Sequence, residues 1–371
     1  MKIAFFVTGL DSGGLENYLL RFLKYKYQSF NKIVIYCKGG KTGQLEESFL
    51  AIENLIIINS KISFFNFSHY YNLYKFFKNE KFNVVCDFTG NFAGMIMLIS
   101  NIANIENRIA FYRGASNHFK SSIFKIVYNN LVKSLTYRNA TSILSNSYSA
   151  FKFFYPKVVL KNEKRFKVIY NGININEFEI NKNENLRTEL NLPENSFVVG
   201  HTGRYNYAKN HLMIIQVAEK LIHKYSDIYF ILCGNGVKEY LLKEIVKKGL
   251  EKRFLLFENR NDIPLFLNTM DAYIFPSITE GQPNSLIEAM ITGLPFVASN
   301  IDSIKETVGE KYYTNLCDPS DVNEFSDKIE KLYIDRKSRD FELKNWATKK
   351  FNHIDLFEKF YNVIYEKYRK R

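Results

Sequence analysis

The sequence of 371 residues has no hydrophobic run as long as the roughly 18 residues that a membrane-spanning helix needs. Low-complexity tracts are absent too. The first segment, MKIAFFVTGLDSGG, has only a short hydrophobic run that ends in an aspartate and two glycines. This pattern is typical of a buried first strand and not of a cleavable signal peptide. These absences predict a globular protein of the cytoplasm.

Cysteine is scarce, and no CxxC spacing occurs. The four cysteines are far apart in the chain: Cys37, Cys86, Cys233 and Cys317. Three of them lie in hydrophobic, strand-like runs, so we expect reduced and unreactive core thiols, as in a reducing compartment. No His/Cys cluster has the spacing of metal ligands, and no D-x-D pair occurs. The sequence therefore predicts no bound metal ion.

Negative charge is scarce in one half of the chain. Residues 1–170 hold 23 basic and 9 acidic residues, whereas the remainder holds 28 and 29, and the whole chain has a net charge of +13. Such an asymmetry predicts an anionic surface, a phosphate-rich ligand or nucleic acid as the partner of the first half. No DNA- or RNA-binding motif accompanies the charge, so we expect no nucleic acid.

The sequence does contain a repeated alternation of hydrophobic strands and amphipathic helices, which indicates parallel sheets covered on both faces. The predicted strands are 2–10, 32–38, 54–60, 83–89, 108–113, 141–147, 197–204, 228–236, 253–260, 272–277 and 295–299. The pattern restarts after 166–178, and the chain length also favours two domains. We therefore predict an α/β protein with two doubly wound, Rossmann-like domains that face each other across a cleft, where the carboxyl ends of the strands bind the ligand.

The segment TEGQPNSLIEAMITGLP holds two glutamates, Glu280 and Glu288, on either side of a predicted helix start near Asn284. Eight residues of helix span about 12 Å, whereas the paired carboxylates of glycosidases stand roughly 5–9.5 Å apart. The spacing favours contacts to the two ends of one elongated ligand, with an anion held by the helix N-terminus between them. A plain helix cap at Asn284 with two solvated glutamates is the alternative that this segment leaves open.

Two cations and two glycines follow predicted strands. In GRYNYAKNH, Arg204 and Lys209 would lie at the carboxyl edge of the second sheet, where they could stabilise a departing diphosphate. In DSGGLEN, Gly13 and Gly14 would let the backbone approach a phosphate or an acceptor, although a tight turn explains them equally well. Neither GxGxxG nor GxxxxGK[ST] occurs in the chain.

An ordered set of motifs across both halves resembles the family 4 retaining glycosyltransferases of the GT-B fold, the glycosyl transferases group 1. The motifs are GGLE (13–16), VIYNGIN (168–174), GRYNYAKNH (203–211), LCGNG (232–236) and E-GQPNSLI-E (280–288). The resemblance implies an acceptor-side domain over 1–168 and a nucleotide-sugar-binding domain over 174–350. It also implies that a C-terminal helix at about 353–371 packs back on the first domain.

The resemblance also implies roles for individual residues. Arg204 and Lys209 would clamp the diphosphate, Glu288 would bind the ribose, and Glu280 would contact the donor sugar. Arg204, Lys209 and Glu280 are thus the predicted catalytic residues. The further predicted donor contacts are Gly14, Arg260, Asn261, Gly281, Gln282, Pro283, Asn284, Ser285 and Leu286.

One departure concerns the acceptor side. Many relatives have a histidine after the fourth or fifth strand of the first domain, but CDFTGNFAG and RIAFYRGASNH have none at the strand ends. Asn91, Arg113 or His118 would take that role, and Gly13 would lie beside them. A surface position for His118 at the start of a helix is the alternative.

A basic amphipathic helix is predicted over 118–138. Phe119, Ile123, Phe124, Val127, Leu131 and Leu135 share one side, with lysines and an arginine between them. Such a helix can lie on an anionic bilayer, which would place the protein peripherally on the inner face of the cell membrane. Packing of this helix on its own sheet is the alternative.

The predicted activity is retaining transfer of a sugar from a nucleotide diphosphate donor to a surface glycan or lipid-linked oligosaccharide, without a metal or cofactor. A UDP-sugar is the first expectation for the donor and a GDP-sugar the second. A sugar-nucleotide epimerase of the same fold and a non-catalytic carbohydrate- or membrane-binding relative are the alternatives.

Overall fold

The hydrophobic strand segments form two parallel sheets in the computed structural model, each in its own unit of the chain. The structure describes residues 1–11, 13–63, 66–113, 123–156, 163–181, 184–336 and 339–366. Unit 1 comprises Met1–Gly172 and Ile354–Arg371, and unit 2 comprises Ile173–His353.

The described part of unit 1 contains a seven-stranded sheet with the order β3-β2-β1-β4-β5-β6-β7. Its strands are β1 (Lys2–Val7), β2 (Lys32–Cys37), β3 (Leu55–Asn59), β4 (Val84–Asp87), β5 (Asn107–Tyr112), β6 (Ser142–Ser145) and β7 (Phe166–Val168). β1 lies near the centre and is buried from Ile3 onward, because its side chains face helices on both sides of the sheet.

The helices of unit 1 connect these strands. They are α1 (Gly14–Lys26), α2 (Glu46–Leu50), α3 (Phe67–Glu80), α4 (Gly94–Ile102), α5 (Ile123–Asn139) and α6 (Tyr148–Phe154). The last described helix of the chain, which we number α14 (His353–Tyr365), packs on α1, with its Phe360 ring 4.7 Å from that of Phe22.

The described part of unit 2 contains a six-stranded sheet with the order β10-β9-β8-β11-β12-β13. Its strands are β8 (Phe197–Thr202), β9 (Ile228–Cys233), β10 (Phe254–Phe257), β11 (Ala272–Phe275), β12 (Phe296–Ser299) and β13 (Leu316–Cys317). Its helices are α7 (His211–Lys224), α8 (Val237–Lys247), α9 (Ile263–Asn268), α10 (Asn284–Ile291), α11 (Asp302–Val308), α12 (Val322–Asp335) and α13 (Phe341–Phe351).

The predicted fold class, two doubly wound parallel sheets with helices on both faces, is confirmed, and each predicted strand overlaps a strand of the structure. The four cysteines are buried and free. Two edge strands were not predicted, β7 and β13, because three and two residues are too short to produce a strand pattern. Among the described residues, no helix is both long and hydrophobic enough to cross a bilayer.

Candidate functional site

The predicted donor-binding residues of unit 2 follow β8, β10 and β11, which belong to a row of four neighbouring strands in its sheet. These strands are adjacent in the order β10-β9-β8-β11, and all are parallel. Their carboxyl ends therefore bring together the segments 203–210, 234–236, 258–262 and 276–283. Ligands of open α/β sheets bind at such an edge, where the strand order reverses.

The loop after β8 is fixed by backbone contacts to the loop after β9. Gly203 donates its N–H to the Cys233 carbonyl at 2.8 Å, and Tyr205 donates to the Asn235 carbonyl at the same distance. Gly234 has a φ of +153°, and a Cβ there would lie 2.3 Å from the Gly203 carbonyl oxygen. Only glycine fits at this position, so the two loops are held in close contact beside Arg204.

Lys209 and Glu280, which were predicted to act on the same donor, form an ion pair. The Lys209 Nζ lies 2.7 Å from the Glu280 Oε1, and both side chains are mostly buried. The ammonium group also lies over the Phe275 ring, 4.7 Å from its centroid. Asn206 accepts a hydrogen bond from the Lys209 backbone N–H, which fixes the turn that directs the lysine toward Glu280.

Arg204 differs from Lys209 because it is exposed. Its guanidinium has no hydrogen bond or ion pair within the part of the chain that the structure describes. Of the two predicted diphosphate contacts, Lys209 is thus paired with a carboxylate, and the exposed Arg204 guanidinium is available to an anion.

Two buried histidines lie beneath this loop, and sequence reasoning missed them. His211 Nε2 donates to the Gly203 carbonyl at 3.2 Å, and His201 Nδ1 donates to the Ile274 carbonyl at 2.9 Å. The rings are perpendicular, with centroids 5.0 Å apart. Burial lowers the pKa of His211 to about 4 and that of His201 well below its usual value, so both are neutral at pH 7. Their spacing on either side of the predicted loop, in HTGR and KNH, was the available signal.

The helix α10 begins at Asn284, and Pro283 precedes it in an extended conformation without a side-chain cap. Asn284 is therefore the first helical residue, and the alternative in which it caps the helix is wrong. The first N–H groups of an α-helix have no acceptor within the helix and favour an anion. Gln282, Pro283 and Leu286 are buried, whereas the rest of this predicted group, Gly281, Asn284, Ser285 and Glu288, is half-buried.

Arg260 and Asn261 follow β10 and differ in their contacts. The Arg260 guanidinium forms two hydrogen bonds with the Asp262 carboxylate, at 2.7 and 2.6 Å, and Asn261 is exposed. Because of this pairing the pKa of Arg260 is raised and that of Asp262 is lowered. Arg260 thus stabilises its own loop. The exposed Asn261 beside it is the residue of this loop that is available to a nucleobase.

In unit 1, the predicted glycines begin a helix. Gly14 is the first residue of α1, and Gly13 precedes it in an extended conformation with its carbonyl accepting from Asn17. A Cβ at Gly13 would lie 2.4 Å from an oxygen of Glu16, so a larger residue would displace that carboxylate.

The acceptor-side candidates are arranged differently from one another. Asn91 is half-buried and accepts a hydrogen bond from the Tyr112 hydroxyl at 2.9 Å. The Arg113 guanidinium lies over the Tyr18 ring, 4.0 Å from its centroid, and burial lowers its pKa to about 10. His118 lies outside the described residues.

A buried ion pair at the same edge of unit 1 was not predicted. Lys38 donates to Asp87 at 2.8 Å and to Thr89 at 2.6 Å, and Asp87 is fully buried at the end of β4. An aspartate at the end of a hydrophobic strand, as in VVCD, was the available signal. Among the described residues, no three His, Cys, Asp or Glu side chains are grouped as metal ligands would be.

The comparison with protein families matches residues 182–347 to the glycosyl transferases group 1. Over 272 residues the chain is 28% identical to the Escherichia coli UDP-Gal:alpha-D-GlcNAc-diphosphoundecaprenol alpha-1,3-galactosyltransferase, which covers 71% of this chain and 70% of the relative. It is also 28% identical over 312 residues to CapH of Staphylococcus aureus, a capsular polysaccharide biosynthesis glycosyltransferase, with 82% and 83% covered.

Among solved structures, Anabaena HepE in complex with UDP is similar over 99% of this chain and 100% of its own, with a TM-score of 0.83 and 20% identity. The lipopolysaccharide outer core galactosyltransferase WaaB in its apo form covers 99% and 100%, with a TM-score of 0.71 and 18% identity. At these identities the likeness shows the fold, which is GT-B.

Proposed function

We propose that the chain is a member of the glycosyl transferases group 1, the family that its residues 182–347 match, and that it transfers a sugar, with retention of the anomeric configuration, from a UDP-sugar to a lipid-linked or surface glycan. Glycosyl transfer is the activity for which both relatives described above are named. The donor, the stereochemistry and the acceptor are the proposal.

The main support for a donor site is the Lys209–Glu280 ion pair, which lies next to the start of α10. A diphosphate at the α10 N-terminus would receive the helix N–H groups together with the charges of Lys209 and Arg204. Because negative charge grows on the diphosphate as the sugar leaves, these groups would stabilise the transition state more than the ground state. Glu280, released from Lys209, would then accept hydrogen bonds from sugar hydroxyls, while Glu288 binds the ribose.

A metal ion has no required place in this scheme, because Arg204, Lys209 and the helix N-terminus supply the positive charge. We therefore propose transfer that needs neither a metal nor a cofactor. Transferase activity should persist in EDTA. If EDTA abolishes the activity and added Mg²⁺ or Mn²⁺ restores it, the proposed metal independence is wrong.

UDP is the proposed nucleotide for two reasons. The galactosyltransferase relative is named for a UDP-sugar, and HepE was solved with UDP and with UDP-glucose. A GDP-sugar is the second candidate. The acceptor is proposed from the same relative, whose name specifies a sugar on a diphosphate-linked polyprenol.

The test begins with binding and ends with the product. We expect UDP to raise the melting temperature and GDP to raise it less, since a ligand of the folded state stabilises that state. Transfer is then assayed with UDP-galactose or UDP-glucose and N-acetylglucosamine-diphosphate-polyprenol, and NMR identifies the new anomeric bond. An inverted bond would contradict the proposed stereochemistry. An isomerised sugar nucleotide from donor alone would favour the epimerase.

Two variants connect this activity to the proposed site. Arg204→Ala should lower kcat by about tenfold or more with a smaller change in KM, because its charge acts on the leaving group. Glu288→Ala should weaken UDP binding, because it removes the ribose contact. Wild-type UDP affinity in Glu288→Ala would contradict the ribose assignment.

A further inference from the structure

Helix α5 buries polar residues and exposes hydrophobic ones. Val132, Thr136 and Asn139 face the interior of unit 1, whereas Val127 and Leu131 are 63% and 50% exposed. Of the predicted hydrophobic side, these two residues are on the surface and Leu135 is half-buried, whereas Phe119 and the side chains of Ile123 and Phe124 lie outside the described part of the chain. The opposite side of the helix is the buried one, and it packs on α4.

The cause of this orientation is the close packing of α5 on α4. A Cβ at Gly94, the first residue of α4, would lie 2.4 Å from the Val132 carbonyl oxygen, so the two helices meet backbone to backbone. Inside this contact, Thr136 donates its hydroxyl to the Val132 carbonyl and Asn139 donates to the Leu135 carbonyl. The side of α5 that faces α4 thus carries polar side chains that bond to the helix's own backbone. Val127 and Leu131 lie on the other side and stay exposed.

Helix α3 adds aromatic residues to the same surface. Phe67 is 81% exposed, and Tyr71 is exposed one turn later. Helix α3 packs beside α4, and Tyr70 of α3 lies close enough to Tyr128 of α5 for the phenols to interact electrostatically. We call the exposed side chains of these two helices the apolar face of unit 1. Its members are Phe67, Tyr71, Ile126, Val127 and Leu131.

Negative charge is scarce in the described helices that form and adjoin this face. Between Glu106 and Glu163 the sequence has nine lysines and arginines and no Asp or Glu. Helix α4 contains no acidic residue either, and the one acidic residue of α3, Glu80, pairs with Lys32 at 2.7 Å. Lys75 and Lys78 of α3 lie over tyrosine rings of the same helix, so cationic and aromatic groups alternate there.

From this juxtaposition we propose that the apolar face of unit 1 docks on an anionic phospholipid bilayer. Exposed aromatic and aliphatic side chains enter the boundary between headgroups and acyl chains, and the surrounding cations bind the negatively charged headgroups. A second copy of the chain is a poor occupant, because it would bring two acid-free, cationic surfaces together. The proposal does not rest on the proposed function, since it concerns a surface of unit 1 and needs no donor or acceptor.

The first experiment measures binding to vesicles by sedimentation. We expect the full-length protein to bind vesicles of phosphatidylcholine with about one third phosphatidylglycerol, to bind pure phosphatidylcholine weakly, and to lose binding as salt is added. The double variant Val127→Asn/Leu131→Gln should bind the anionic vesicles about tenfold or more weakly, because two exposed hydrophobic side chains no longer enter the bilayer.

The chain offers a matched control on α8 of unit 2. Leu242 and Val246 are 43% and 53% exposed and are also four residues apart on one helix. Leu242→Gln/Val246→Asn should bind vesicles as the wild type does, and melting curves report whether both double variants are folded. Equal binding by wild type and Val127→Asn/Leu131→Gln, or no preference for anionic vesicles, would overturn the proposal. A wild-type dimer that this variant converts to a monomer would overturn it as well.

A fluorescence measurement reports insertion directly. The chain has one tryptophan, Trp346 in unit 2. Leu131→Trp adds a second tryptophan on α5, whose fluorescence reports the surroundings of the apolar face. Anionic vesicles should shift its emission to shorter wavelength, as expected when an indole leaves water, and should not shift Leu242→Trp. Equal spectra of the two variants with and without vesicles would contradict docking through this face.

Discussion

At the scale of single residues, Lys209 and Glu280 hold each other in the structure, whereas both are proposed to bind the donor. Two mostly buried opposite charges neutralise each other, so the pair is favourable only as long as both members are present. A nucleotide sugar offers each member a replacement, phosphate oxygens for the lysine and hydroxyl groups for the glutamate. We therefore expect the pair to keep the site stable without donor and to be exchanged for donor contacts when a nucleotide sugar binds.

The stability of this pair is testable by substitution. Lys209→Met should lower the free energy of unfolding by about 3 kcal/mol, because it leaves Glu280 buried without its partner, and it should abolish turnover. Adding Glu280→Gln should restore much of the stability but none of the activity. Urea unfolding measures the first effect.

A control for this prediction is the ion pair between Lys248 and Glu219, which is also 2.7 Å long but more exposed. Lys248→Met should cost about 1 kcal/mol or less. A similar loss in both lysine variants would show that the buried pair has no special role in stability.

The neutral state of His211 predicts a pH dependence of stability. Its folded pKa, about 4, is below the ordinary value of 6.5, so the unfolded chain binds a proton between these values and the folded chain does not. Stability should therefore fall by about 2 kcal/mol as pH decreases from about 7 to about 5. His211→Gln removes the titrating group but keeps a donor for Gly203, and should lose this part of the slope.

Melting curves across this pH range measure the slope. An unchanged slope in His211→Gln would contradict the assignment to His211. If the histidine positions the loop, His211→Leu should also lower kcat, and His211→Gln should recover part of it.

At the scale of elements, the close contact of the loops after β8 and β9 depends on one missing side chain. Gly234→Ala should cost about 3 kcal/mol or more, because its Cβ would overlap the Gly203 carbonyl and its φ of +153° is strained for alanine. The displacement would move Arg204, so kcat should fall as well. Chemical unfolding and a donor assay measure the two effects.

Gly249→Ala is the matched control for this prediction. Gly249 also has a positive φ, +67°, but no atom lies within 4 Å of a Cβ placed there. It should cost about 1 kcal/mol with unchanged kcat, since only the backbone preference is lost. Equal effects at the two glycines would show that the loop contact is not rigid.

The elements also show how far the sequence can be interpreted. Hydrophobic runs such as KIAFFV and FVVGHT predicted their strands, because a strand buried on both faces leaves an unambiguous pattern. The spacing in TEGQPNSLIEAM predicted a helix from Asn284, and the structure has it there. The orientation of α5 could not be predicted, because the face that a helix buries depends on its neighbour, here Gly94 of α4.

The candidate site shows the same limit. The sequence predicts that Lys209 and Glu280 follow neighbouring strands, but it does not predict that they pair. Their separation of 71 residues leaves no periodicity to interpret. The roles assigned to them in donor binding stay predictions until the variants are measured.

At the scale of the whole molecule, the chain leaves unit 1 at Gly172 and returns to it at Ile354. The returning helix α14 completes the core of unit 1, where Phe357 and Phe360 pack against Tyr18 and Phe22. Unit 1 therefore depends on residues that are far apart in the sequence, whereas unit 2 is continuous.

This dependence predicts a selective loss of stability. Phe360→Ala should destabilise unit 1 by about 3–5 kcal/mol, because it leaves a cavity among aromatic rings. Amide hydrogen exchange should become faster in β1 and α1 and stay unchanged in β8 and α7. Ile354→Ala, on the exposed side of the same helix, should have little effect. Faster exchange throughout unit 2 would contradict separate cores.

The two points where the chain enters and leaves unit 2 are tied together. Ile173 donates its backbone N–H to the Phe351 carbonyl at 3.0 Å, and His353 donates to the Ile173 carbonyl at 3.2 Å. Unit 2 is thus a continuous segment inserted into unit 1, and its first and last residues are hydrogen-bonded to each other. A relative's corresponding segment could be exchanged for residues 173–353 as one cassette, with two adjacent junctions to repair. Such chimaeras would test whether the choice of donor follows unit 2 and the choice of acceptor follows unit 1.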